Sequence, residues 1–292
     1  MVETASLVLV FVAGLLTALA TGLGAIPFFF VEEFSDRWNV GLWGIASGIM
    51  VSASMFGLLN EGLAYTSDLP LMLVVGVFAG VVLVEVSDRV LDGVELGDDD
   101  DEHDEHGPNH DSHDGHDEHR MEAEAFAEGD PKKLLLILGI LTVHSFPEGV
   151  AVGVSFAELG LEGGIPVLGI AVPVLAVFMT VAISIHNVPE GTAIAIPMRA
   201  MGLSNWRMVG AAVFSSLPQP IGAVIAFAFV RWARAFLPFG YGFAAGAMIY
   251  LVVTEFIPEA LDTGAGLDGH GRRELVGGFL AGVLAMVPLL SV

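Results

Sequence analysis

Long apolar stretches recur along this chain and constrain its fold more than any other feature. Eight can be drawn, and most have the length of about 20 residues that a helix needs to cross a bilayer. They cover residues 5–30, 41–60, 71–91, 134–156, 167–197, 208–230, 237–257 and 275–292. The chain is 54% hydrophobic and only 15% charged, which is more apolar surface than a domain in water can hide. We therefore predict an all-α, polytopic membrane protein with eight transmembrane helices in a lipid bilayer.

The topology follows from the lengths of the stretches and from the basic residues. The fifth stretch is longer than one untilted span, so we interpret its start near Pro173 as a loop or a tilted entry. If the N-terminus lies outside the cell, nine of the 11 lysines and arginines fall on cytoplasmic sides, and Arg231 and Arg234 fall outside. Cytoplasmic loops of membrane proteins carry an excess of basic residues. Both termini are therefore predicted to lie outside.

One long polar segment divides the chain. Residues 1–91 contain three apolar stretches, residues 132–292 contain five, and residues 92–131 between them hold 17 of the 34 acidic residues. Because this segment has few apolar residues, it is predicted to be a disordered cytoplasmic loop. Its six histidines indicate metal capture, although an acidic, solvated loop is the alternative. They are His103, His106, His110, His113, His116 and His119.

Composition excludes some partners and narrows the source. The chain has no cysteine, so a metal site must use nitrogen and oxygen donors, with methionine as an addition. The net charge is −23 and there is no basic face, which argues against nucleic acid as a partner. Two lysines among many acidic residues are typical of a salt-loving prokaryote. The expected location is the plasma membrane of such a cell.

Two copies of one short motif lie inside apolar stretches. Residues 144–149 read His-Ser-Phe-Pro-Glu-Gly, and residues 186–191 read His-Asn-Val-Pro-Glu-Gly. In each copy the histidine and the glutamate are four residues apart, which places them on the same face of a helix. Ionisable residues in a membrane helix are costly and normally face the protein interior. If the two helices are neighbours, His144, Glu148, His186 and Glu190 meet at one depth.

Two imidazoles and two carboxylates form a site for a divalent first-row cation. The carboxylates also balance the 2+ charge at a depth where an unpaired charge is costly. Pro147 and Pro189 each leave the backbone carbonyl one turn earlier without its helical hydrogen bond, and a cation or a water molecule can bind that oxygen. The alternative role of these prolines is a structural kink.

Other polar residues in the apolar stretches are weaker candidates. Glu255 is interpreted as the deeper of two glutamates and as a ligand or a proton site, and Glu259 as a marker of the cytoplasmic mouth. Gln219 lies between two prolines, with no preferred direction. Met50 is by itself more typical of packing, because methionine fills gaps in apolar interiors.

These residues resemble the ZIP family of divalent metal transporters, especially its prokaryotic branch with His-Asn-x-Pro-Glu-Gly in spans four and five. Four further segments resemble spans of the family, and the resemblance covers essentially the whole chain. They are residues 21–27, 46–50, 218–223 and 246–250. The resemblance implies an inverted repeat in which spans one to three correspond to spans six to eight. It also implies a carrier that moves metal toward the cytoplasm by shifting spans one, four, five and six, and it makes a homodimer plausible.

The resemblance further implies a binuclear centre bridged by Glu148 and Glu190. His144 and His186 would complete one metal position, assisted by Met50 and Glu255. Positions matching the second metal position are Ser145, Asn187 and Gln219. Because serine and glutamine are weaker, uncharged donors, we expect one strong site.

Three functions remain open from the sequence. The first is a divalent metal transporter with alternating access to the histidine–glutamate site, not an enzyme. Its substrate is expected to be zinc, with iron, manganese, cobalt, nickel and cadmium as alternatives, and acid should weaken uptake because ligands must lose protons. The second is an intramembrane metal-dependent hydrolase, although no His-Glu-x-x-His motif is present. The third is a metal-gated channel or sensor.

Overall fold

A computed structural model describes residues 4–31, 35–66, 69–98, 144–160, 164–167 and 169–288. These ranges are mostly helical. We number their helical segments α1 to α8 in chain order: α1 Thr4–Leu23, α2 Asp36–Ala64, α3 Leu71–Asp98, α4 144–155, α5 Val174–Ala200, α6 Asn205–Trp232, α7 Arg234–Thr263 and α8 Arg272–Ala285. Among the described residues, α1, α2, α5, α6 and α7 are long and apolar enough to cross a membrane. The predicted total of eight spans stays a prediction.

Three of the long segments change geometry along their length. In α2 an α-helix, Asp36–Ser52, continues as a π-helix, Ala53–Leu59, and ends as a short α-helix, Asn60–Ala64. In α7 a 3₁₀ turn, Arg234–Phe236, precedes an α-helix, Leu237–Leu251, a π-helix, Val252–Phe256, and an α-helix, Ile257–Thr263. In α6 the helices Asn205–Ser215 and Pro218–Trp232 are separated by a two-residue turn. Pro218 and Pro220 explain this break, because neither residue has an N–H for the helical ladder.

The prediction of an all-α chain needs one correction, because the described residues include a short hairpin. Strand β1, Ile165–Val167, pairs antiparallel with strand β2, Ile170–Val172, and Ile165 lies opposite Val172. Gly169 in the turn has a φ of 81°, which glycine adopts without strain. Isoleucine and valine on both sides of this turn favour strands. The start of the fifth stretch is therefore a strand pair, and α5 begins directly after Pro173.

Helix α3 also extends further than predicted. It runs through Asp98, so residues 92–98 of the predicted loop are helical. Leucine and glutamate at positions 91, 95 and 96 favour a helix, which outweighs the polarity of this segment. The rest of the predicted loop, including its six histidines, lies outside the described residues.

Helices α2, α3, α7 and α8 pack in pairs through glycines. Helix α3 contacts α7, and α2 contacts α8. Each of the four helices contributes two glycines to its contact, and the two are four residues apart in the sequence. In all eight cases an added Cβ would lie within 2.4 Å of a backbone atom of the partner helix. The glycines are Gly76 and Gly80 with Gly242 and Gly246, and Gly44 and Gly48 with Gly278 and Gly282. Small residues of this kind let membrane helices approach closely.

A second group contains the two helices with the doubled motif. Helix α5 contacts α1, where a Cβ on Gly191 would lie 1.8 Å from the carbonyl oxygen of Thr21. Helix α4 contacts α6, where a Cβ on Gly149 would lie 2.3 Å from the carbonyl oxygen of Gln219. The Thr21 and Ser216 hydroxyls lie 2.6 Å apart and join α1 to the break in α6. The motif glycines thus allow α5 to pack closely against α1, and α4 to pack closely against α6.

Tyr65, just after α2, joins the two groups of helices at one end of the molecule. Its hydroxyl donates a hydrogen bond of 2.5 Å to Oε1 of Glu158, which follows α4. Burial, followed by the hydrogen bond to Glu158, raises the pKa of Tyr65. The phenol therefore stays neutral and remains a donor at any physiological pH.

Candidate metal centre

The doubled motif lies on α4 and at the middle of α5. Helix α5 continues through Pro189, so the four-residue spacing of His186 and Glu190 keeps both side chains on one face. Residues 144–149 lie in α4, and Glu148 is buried there. Because α4 packs on α6 and α5 packs on α1, the two motifs face the interior of this helix group.

Glu148, His186 and Glu190 come together between α4 and α5. One potential ligand atom from each side chain lies within 4.8 Å of the other two. His186 Nε2 donates to Glu148 Oε1 over 2.7 Å. His186 is fully buried, and Glu148 is only 4% exposed. Glu190 is half-buried, so the structure joins residues of both motif copies in one small, largely buried group.

His144 lies against a different carboxylate. Its Nε2 atom is 3.0 Å from Oε1 of Glu255, which belongs to the π-helix of α7. Of the four predicted ligands, Glu148, His186 and Glu190 therefore form the group of three, and His144 pairs with Glu255. Widened π turns change the direction of the side chains that follow and are frequent at functional sites. This turn of α7 brings Glu255 to the motif of α4.

An amide chain runs beside the group of three. Asn187 Nδ2 donates to the carbonyl oxygen of Thr17 over 2.8 Å and to Gln219 Oε1 over 3.1 Å. Gln219 Nε2 donates to Glu148 Oε2 over 2.5 Å. Gln219 thus faces Glu148, a direction that the sequence left open.

The remaining predicted residues have other surroundings. Ser145 donates to the carbonyl oxygen of Ser215, over 3.1 Å, where α6 breaks. Met50 is 1% exposed and belongs to the apolar core. Glu259, interpreted from the sequence as a marker of the cytoplasmic mouth, is only 5% exposed. Its turn of α7 packs against α2. Its place at the cytoplasmic mouth stays a prediction.

Comparison with known proteins settles the family. A family model described as ZIP Zinc transporter matches residues 4–289. The chain belongs to the ZIP family. Zinc transporter GufA of Myxococcus xanthus is 31% identical over 94% of this chain and 96% of its own length. Zinc transporter ZIPB of Bordetella bronchiseptica is 31% identical over 92% of this chain and 76% of its own length.

A longer protein of Arabidopsis thaliana is also similar to this ZIP chain. It is 35% identical over 83% of this chain, which covers 33% of the plant protein. Family membership confirms the resemblance inferred from the doubled motif, and with it a multi-pass membrane location.

The centre contains buried polar atoms that have no hydrogen-bond partner among the described residues. They include His186 Nδ1 and Asn187 Oδ1. A buried polar atom without a partner costs free energy, so such atoms usually bind a ligand or water. Both are electron-pair donors, and the ring of His186 lies in the group with the carboxylates of Glu148 and Glu190. The centre is therefore suited to a cation.

Two contacts of the centre were not predicted from the sequence. The ring of Phe256 stacks on His186, with centroids 5.0 Å apart, and the carbonyl oxygen of Thr17 anchors Asn187. Phe256 directly follows Glu255 in the sequence, so the prediction of Glu255 as a ligand pointed to this part of α7. A backbone carbonyl carries no signal in the sequence.

Proposed function

We propose that this ZIP-family chain transports divalent transition-metal cations, principally zinc, across the plasma membrane toward the cytoplasm. The observation that carries the proposal is the largely buried group of Glu148, His186 and Glu190, joined across α4 and α5. A histidine and two carboxylates offer borderline donors and the charge to balance one dication. The two bacterial relatives named as zinc transporters support zinc.

We propose His144, Glu148, His186 and Glu190 as the ligands, with Glu255 and Met50 assisting. The contact of His144 with Glu255 supports two neighbouring stations for the cation. We propose that a cation passes from the group of three to this pair, because His144 lies one helical turn before Glu148 on the same face of α4.

The proposed architecture has eight spans, both termini outside and an inverted repeat. The matching glycine pairs support the repeat, since α2 meets α8 in the way that α7 meets α3. Arg37 Nε lies 3.6 Å from Glu274 Oε1, so α2 and α8 begin at the same face. Inverted repeats place the binding site near the bilayer midplane and support alternating access. We propose that α1, α4, α5 and α6 move together against the other four helices.

Uptake into vesicles tests the proposed function. Purified full-length protein in liposomes should accumulate ⁶⁵Zn, with a rate that saturates as zinc is raised. His186→Ala should lower the rate to that of empty liposomes, because the ring contacts Glu148 and is buried at the centre. A rate that rises without saturation would favour a channel, and unchanged uptake by His186→Ala would contradict the site.

The histidine-rich segment is expected to regulate transport and not to conduct it. Deleting residues 98–119 should leave the maximal uptake rate within about two-fold of the full chain, because the buried group lies on other helices. A matched variant keeps the segment's length and acidity and replaces its six histidines with asparagine. Both variants should change how uptake responds to zinc on the cytoplasmic face. Loss of all uptake in the asparagine variant would show that these histidines belong to the pathway.

A further inference from the structure

The amide chain beside the centre has a direction that the backbone imposes. Asn187 Nδ2 donates to the carbonyl oxygen of Thr17, and this oxygen can only accept. The nitrogen of Asn187 must therefore lie on that side. Its second hydrogen reaches Gln219 Oε1, so the oxygen of Gln219 must face Asn187.

The remaining group of Gln219 then points at the carboxylate. Gln219 Nε2 donates to Glu148 Oε2, while Glu148 Oε1 accepts from His186. If the Gln219 amide were turned over, two acceptors would meet at Glu148 and two donors would meet at Asn187. Both hydrogen bonds would be lost in a place where Gln219 and Asn187 are completely buried. The orientation of Gln219 is therefore determined by its surroundings.

This orientation closes one side of Glu148 to a cation. Amide hydrogens carry partial positive charge, which repels a dication that approaches Oε2 from the side of Gln219. Oε1 accepts from His186 Nε2, and a dication that replaces this proton would bind between the ring nitrogen and Oε1. The amide oxygen of Gln219 faces Asn187, so Gln219 presents no donor atom on the side of Glu148.

The number of carboxylate charges at the centre also argues against a second dication. Glu148 and Glu190 together carry two negative charges when ionised, and one dication neutralises them. Ser145, Asn187 and Gln219 add no charge. Even with Glu255, which lies beside His144, three carboxylates do not neutralise two dications, and uncompensated charge is strongly unfavourable in a largely buried site.

We infer that Gln219 is a positioning residue that holds Glu148 as a one-oxygen ligand and limits this centre to one dication. The inference rests on the proposed function. Gln219 acts through Glu148 and, with Asn187 and Thr17, ties α6 and α4 to α5 and α1. The amide of Gln219 thus links helices that a second, bridging cation would otherwise link.

Counting bound zinc tests the inference. All proteins are full-length chains with the six loop histidines replaced by asparagine, so that only buried sites are counted. Zinc per chain is measured by mass spectrometry of the metal after equilibrium dialysis in detergent. The chain with Gln219 should hold one zinc that Glu148→Ala removes. Gln219→Glu should hold two, because the added carboxylate replaces the donor that faced Glu148 and, with Glu148, Glu190 and Glu255, supplies the negative charge for two dications.

Two further variants separate positioning from folding. Asn187→Asp introduces the extra carboxylate one step along the amide chain and should also raise the count from one to two. Gln219→Met keeps the approximate volume without hydrogen bonds. It should retain one zinc while weakening its binding about ten-fold, the effect of losing a hydrogen bond to a charged group. Size-exclusion elution of each variant checks folding.

The possible counts have distinct meanings. Two zinc ions in the chain with Gln219, both removed by Glu148→Ala, would overturn the inference and leave the proposed function intact. A count of one in both folded carboxylate variants would also overturn it. If Glu148→Ala removes no zinc and the parent shows no uptake, the proposed function itself fails.

Discussion

Replacing Glu148 with alanine should reduce zinc uptake by reconstituted vesicles to the level of empty vesicles. Glu148 contacts His186 over 2.7 Å and supplies half of the negative charge of the group of three. Without it, one carboxylate faces the dication in a dry interior, and the shortage of charge opposes binding. Initial rates of ⁶⁵Zn uptake measure the effect.

Two matched variants show whether the carboxylate itself is required. Glu148→Gln keeps the size of the side chain and removes the charge, so it should fail as alanine does. Glu274→Gln changes a glutamate near Arg37, away from the centre, and should transport at the parent rate. Parent rates in Glu148→Ala would refute the proposed site, whatever the other variants do.

Replacing Gly191 with alanine should destabilise the protein and abolish uptake. The new Cβ would lie 1.8 Å from the carbonyl oxygen of Thr21, and neither backbone can move alone. Overpacking of a close contact costs about 1–3 kcal/mol, and this contact is shorter than side-chain adjustment can relieve. Separation of α5 from α1 would also move Glu190, the adjacent residue. The melting temperature in detergent and the uptake rate should both fall.

Gly210→Ala provides the control for the glycine substitution. A Cβ at Gly210 would meet nothing within 4 Å, although this glycine also lies in a helix. Alanine there should raise helix stability by up to about 1 kcal/mol and leave uptake unchanged. Equal melting temperatures of Gly191→Ala and Gly210→Ala would contradict the close contact between α1 and α5 at Gly191.

Local patterns allowed part of the fold to be predicted. The four-residue spacing in the doubled motif placed histidine and glutamate on one helix face, and α5 does continue through the second copy of the motif. The strand pair before α5 was not predicted, because an apolar run of isoleucine and valine fits a strand and a membrane helix equally well. The extension of α3 through Asp98 was missed because polarity was weighed above helix propensity.

For the candidate centre too, some features could be predicted from the sequence and others could not. Its chemical class followed from residue types, since histidine and glutamate in an apolar helix must face an interior partner. Their arrangement as a group of three with a separate His144–Glu255 pair did not follow. That pairing depends on the side chain that a widened turn of α7 presents to α4. The burial of Glu259 depends in the same way on α2.

The sequence alone determined a multi-pass helical membrane protein of the ZIP family, and it predicted a divalent-cation site on α4 and α5. These conclusions need only composition and the geometry of a single helix, which are local properties. The tertiary structure decided which glutamate each histidine contacts and which way Gln219 faces. Both are relations between helices far apart in the chain, and close glycine packing and a hydrogen bond to the Thr17 carbonyl establish them.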